Sequence, residues 1–116
     1  MGLGEQMRKA REARQEGDKK AWSLRRVAAR LGIEPSYLSK LERGELAPGE
    51  DLLCRIADEL GGDKDVWLAL GGKVSQDLRE IIAKRPALFA SIIRELREMP
   101  DDALVRMARE VRDGQW

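Results

Sequence analysis

Apolar positions recur at helical spacing along almost the whole chain and no stretch alternates as a strand would, so the pattern predicts an all-α protein. The clearest segment is SLRRVAARLGIEPSYLSKLERG, residues 23–44. Val27 and Leu31 lie one turn apart on one face, and Ala28 beside them is small enough to let a second helix cross closely. Gly32 supplies the left-handed residue that stops a helix at a sharp turn, and Ile33 plugs the corner. Pro35 suits a first helical position, where its fixed φ fits and its missing N–H has no partner to lose. In the helix that follows, Tyr37, Leu38 and Leu41 share an inward side. Ser36, Ser39, Lys40 and Arg43 fall on the opposite side. Gly44 is placed to end it.

The periodicity continues beyond this pair. Leu52, Leu53, Ile56, Ala57 and Leu60 predict a core helix, and Val66, Trp67 and Leu70 predict a short one that ends at Gly71-Gly72. Residues 1–72 are thus expected to form one domain and residues 73–116 an added helical segment. In that segment Ser75 can cap a helix carrying Leu78, Ile81 and Ile82. Pro86 starts a second with Leu88, Phe89, Ile92, Ile93 and Leu96, and Pro100 starts a third with Leu104, Val105, Ala108 and Val111. So short a piece cannot bury its apolar faces alone, which leaves docking on the first domain, pairing with a second copy, or binding another protein. Pairing as a homodimer is the expectation, with Phe89, Ile92, Ile93 and Leu96 at the dimer or partner interface.

Two short helices meeting at a three-residue corner are the device by which many proteins insert a helix into the DNA major groove. Through LGEQMRKARE, SLRRVAARLGI, PSYLSKLERG and LLCRIADELG, residues 3 to 70 resemble the Cro/C1-type (XRE) helix-turn-helix regulators. The resemblance implies five helices, with the second and third forming the motif and the third reading double-stranded DNA at an operator. It also implies an ion pair between Arg11 and Glu42 that holds the motif on its domain. The chain departs from the family in three places. The link QEGDKKAW is long and is expected to bulge with Lys19 and Lys20 at its tip, Leu24 stands where many members carry glutamine, and Glu34 replaces the usual Ser or Thr cap.

On this basis Ser36, Ser39 and Lys40 are expected to contact bases, since lysine donates well to guanine O6 and N7 and serine pairs with several bases. Phosphate contacts are assigned to Ser23, Arg26, Arg43, Lys19 and Lys20; Ser23 is also explained as an N-cap, and of Arg25 and Arg26 one is expected to face DNA. Tyr37 reads as packing, and Arg8, Lys9 and Arg30 as solvated surface.

A net charge of +1 looks unsuited to a DNA binder until it is divided along the chain. Residues 1–46 hold 11 Lys/Arg against 7 Asp/Glu, residues 47–73 hold 3 against 6, and residues 74–116 hold 8 of each. The positive charge therefore gathers around the motif, where phosphate neutralisation needs it. With no histidine and a single cysteine, Cys54, no zinc site and no Cys/His or Ser/His catalytic pair can be assembled. Cys54 reads as a small buried hydrophobe. Neighbouring acids such as Asp58 with Glu59 diverge on a helix, so no catalytic residue, metal or cofactor is expected. Without a membrane-length apolar run or a leader pattern, the expected location is the cytoplasm.

The expected function is that of a sequence-specific transcriptional regulator, a dimeric repressor inserting residues 35–43 into the major groove. The tail, through KRPALF and AREVRDGQW, is similar to regulators encoded beside metallopeptidase or toxin genes. That similarity implies the alternative of an antitoxin-like or adaptor module whose C-terminal helices hold a partner protein.

Overall fold

The structure, a computed structural model, describes residues 2–116. These form eight helices: α1 (Leu3–Gln15), α2 (Leu24–Leu31), α3 (Pro35–Glu42), α4 (Glu50–Leu60), α5 (Lys64–Leu70), α6 (Gln76–Lys84), α7 (Pro86–Leu96) and α8 (Asp101–Asp113). No strand occurs among the described residues, so the fold is all-α.

The chain divides into two compact units, one ending at Ser75 and the other spanning Gln76–Trp116.

Local chemistry sets the ends of the helices in the first unit. The Ser23 hydroxyl accepts from the Arg26 N–H at 3.2 Å and caps α2, while Gly32 closes it at φ 70° with the Ile33 N–H bonded back to Ala28 O at 3.0 Å. Pro35 opens α3 with no side-chain cap from Glu34. Asp63 caps α5 by accepting from the N–H groups of Asp65 and Val66. In α5 Trp67 and Leu68 turn inward, while Val66 and Leu70, expected inside, stand exposed. Between the helices lies one core of Met7, Val27, Ala28, Leu31, Leu38, Leu41, Leu53, Ile56, Ala57, Leu60, Trp67 and Leu68. Cys54 is half-buried at its margin rather than inside it, since it sits on the flank of α4 beside Leu53.

In the second unit α6 packs against α7. Pro86 occupies the first turn of α7 as expected, but Pro100 precedes α8 as its extended N-cap, its carbonyl accepting from Ala103 and Leu104 at 3.1 Å each. Asp101 and Asp102 then place negative charge where the helix end is positive. None of the three helices contains a buried residue. Phe89, Leu96, Met99, Leu104 and Met107 are half-buried, whereas Leu88, Ile92, Ile93, Val105 and Val111 are exposed. Of the four residues expected on the inward side of α8, Leu104 is half-buried while Val105, Ala108 and Val111 are exposed; Ala103 and Met107 join Leu104 on that side.

Candidate nucleic-acid interface

The position of α3 is fixed from behind before its front face is considered. Leu38 and Leu41 are buried in the core, and Glu42, beside them, is only 6% exposed. Arg11 of α1 meets that carboxylate with two bonds, Nε to Oε2 at 2.8 Å and Nη2 to Oε1 at 2.9 Å. Its remaining nitrogen, Nη1, donates to the Trp22 carbonyl at 3.3 Å, so the buried guanidinium reaches α1, α3 and the loop before α2 together. The hydrogen bond that Arg11 donates to Glu42 holds the Arg11 pKa above its ordinary value, partly offset by burial.

Gly4 completes the crossing. A Cβ there would lie 2.4 Å from Leu41 O and 2.6 Å from Glu42 O, so α1 and the end of α3 approach to a distance that only glycine permits.

The opposite side of α3 is polar. Ser36 and Lys40 are exposed one turn apart, and the Lys40 ammonium has no carboxylate partner among the described residues. Ser39 is half-buried, and its hydroxyl accepts from Arg43 Nη1. Arg43 is exposed but engaged further, since Nε and Nη2 donate to Glu45 Oε2 at 3.2 and 2.8 Å. Tyr37 packs at the edge of the core. Gly44, at φ 76°, turns the chain away so that the Glu45 N–H bonds back to Lys40 O at 3.0 Å.

At the start of α2, Arg25 and Arg26 are exposed with no ion-pair partner among the described residues, and Ser23 is engaged in its cap. The preceding loop carries Lys19 and Lys20 exposed in successive turns, and Lys20 O accepts from the Ser23 N–H at 3.3 Å. This loop is fastened at its far leg. The Trp22 ring lies between two guanidinium groups, Arg14 at 4.7 Å and Arg30 at 4.6 Å from its centroid. Arg14 Nε donates to Leu60 O at 3.1 Å, and Arg30 donates to Ala21 O at 2.6 Å and pairs with Glu59. Arg30 is exposed, as its reading as solvated surface expects, but it is also a structural clamp.

The sequence pattern missed Gly4, Trp22, Arg14, Glu45 and Glu59. A tryptophan embedded in a charged loop was the available signal for the clamp. Nothing in the spacing of residues 14, 22, 30 and 59 connects them.

A corner helix pair locked from behind and presenting a polar, partly basic front defines a helix-turn-helix DNA-binding domain. A family model described as "Helix-turn-helix domain" matches residues 2–69, well over half of the chain, so the protein belongs to that family. Neither curated proteins nor solved structures yield a significant match. The family points to a DNA-binding regulator rather than a catalyst. Among the described residues no helix is long and apolar enough to cross a membrane.

Proposed function

We propose that the protein is a sequence-specific transcriptional regulator of the Cro/C1 type, binding double-stranded operator DNA as a homodimeric repressor with residues 35–43 in the major groove. One observation carries the reading. The exposed face of α3 holds Ser36 and an unpaired Lys40, while its other face is immobilised by Leu38, Leu41 and the Arg11–Glu42 pair. A rigid polar ridge loses little conformational freedom on docking, and that favours readout of base edges.

In this reading Ser36, Ser39 and Lys40 meet bases. Ser23, Arg26, Arg43, Lys19 and Lys20 meet phosphates on either side. A dimer places two such ridges about 34 Å apart, one turn of DNA, to match a two-fold site. The apolar side chains of α7 support self-association: Ile92 and Ile93 are 42% and 52% exposed, with Phe89 and Leu96 half-buried beside them. Phe89→Glu is expected to dissociate the dimer in analytical ultracentrifugation; an unchanged sedimentation coefficient would remove α7 from the interface.

The same exposed apolar surface favours a second reading, in which the C-terminal helices of an antitoxin-like or adaptor protein hold a partner and DNA binding serves autoregulation. Salt dependence tests the DNA binding on which the first reading depends. Several phosphate contacts predict that raising salt from about 50 to about 200 mM weakens duplex binding about a thousandfold. A flat response contradicts the first reading and leaves only the partner-holding part of the second.

A further inference from the structure

The two cations on the exposed face of α3 are not equivalent. Lys40 is open to a ligand, whereas all three nitrogens of Arg43 are already committed, Nη1 to the Ser39 hydroxyl and Nε and Nη2 to a single oxygen of Glu45. Those two nitrogens form the edge of the guanidinium that would otherwise grip a phosphate. Glu45 does not reach this place by chance rotation of a long side chain alone. Gly44, in a left-handed conformation that other residues rarely adopt, folds the chain back, and the Glu45 backbone N–H is tied to Lys40 O at 3.0 Å. The carboxylate is thus delivered by the helix terminus itself to the rim of the polar ridge.

We propose that Glu45 is an intramolecular competitor for DNA at Arg43, an affinity-setting residue that occupies the arginine with a carboxylate until a phosphate displaces it. The inference rests on the DNA-binding reading given above. A phosphate arriving at Arg43 must break the pair and leave the displaced carboxylate beside a second anion, so part of the attraction of this arginine is cancelled. Exposed ion pairs are weak, and the competition is therefore reversible. Ser39 is left with its O–H free to donate, because towards Arg43 it acts only as acceptor.

The test is a cycle of parent, Glu45→Gln, Arg43→Gln and the double variant, titrated on one mixed-sequence duplex by fluorescence anisotropy across a salt series. Both side chains are exposed, so melting of the variants should match the parent and report that the fold is intact. Removing the competitor should tighten binding up to about fivefold near 0.1 M salt, the upper worth of an exposed ion pair, while the slope of log affinity against log salt changes by much less than one full phosphate contact because Arg43 meets its phosphate in both proteins. With Arg43 already replaced, Glu45→Gln should change affinity by no more than about twofold, the screened effect of one nearby charge. Binding by the parent with no gain in Glu45→Gln, or an equal gain whether or not Arg43 is present, overturns the competition and leaves the DNA-binding reading standing. Failure of every form to bind the duplex at low salt overturns both.

Discussion

The chain up to Ser75 and the chain from Gln76 onward are both amphipathic helices joined by short turns, yet only the first has an interior. In the first unit twelve apolar residues, among those described, form a buried core cluster. In the second no helix contributes a single buried residue, although Leu78, Ile81, Leu88, Ile92, Ile93, Val105 and Val111 supply ample apolar surface. Amphipathic pattern alone therefore does not make a core; it needs helices that cross closely enough to cover one another. Gly4, Ala28 and Ala57 allow such crossings in the first unit, and α6 to α8 have no comparable layer around them. The contrast suits the proposed division of labour, in which the first unit holds α3 rigid and the second associates with a further chain.

That contrast can be attacked most forcefully at the ion pair behind α3. Glu42→Ala leaves the Arg11 charge buried without its partner and should cost about 3–5 kcal/mol, while Lys40→Ala, on the front of the same helix, should cost no more than about 0.5. Urea denaturation measures both, and equal losses would mean that the back of α3 is not what anchors it. Next in size is Gly4→Val. Its side chain would meet the carbonyls of Leu41 and Glu42, backbone that cannot swing aside, so a loss of about 3 kcal/mol is expected together with weaker duplex binding as α3 shifts. A stable variant that binds normally would refute the close crossing.

A smaller effect belongs to the clamp on the first loop. Trp22→Ala removes two guanidinium–indole contacts and should lower stability by about 1–2 kcal/mol. Trypsin should then cut faster after Lys19 and Lys20; an unchanged cleavage rate would show the loop to be held by other means. The smallest effect is expected in the second unit. Ile93→Ala should cost about 0.5 kcal/mol at concentrations where the chain is monomeric, rising to about 2 kcal/mol or more where α7 faces a second copy. A large cost that is independent of concentration would break the comparison, because it would give the second unit an interior of its own.

What could be read in advance follows the same division. The corner between α2 and α3 is written in adjacent residues, a serine cap, a left-handed Gly32, a Pro35 start and a Gly44 stop, and each acts through bonds no more than a turn away. The outward placement of Ser36 and Lys40 follows from the phase of Leu38 and Leu41. The features that escaped depend on distant partners. Nothing near Gly4 announces the carbonyls it meets, and nothing near Trp22 announces that arginines from α1 and α2 will close on it. α5 has only seven residues, of which Val66, Trp67, Leu68 and Leu70 are all apolar, so the spacing does not decide which of them face the core. In the second unit Met99 and Met107 are half-buried without having been singled out, since no buried core there selects one side of each helix.

Amide chemical shifts of the nitrogen-15-labelled chain, recorded while a short duplex is added at low salt, test the central claim most directly. The account predicts that the perturbed residues gather on the front of α3, from Ser36 to Arg43, with a second group at Lys19, Lys20 and the start of α2. Perturbations confined to Gln76–Trp116, or spectra that DNA leaves unchanged, would contradict it.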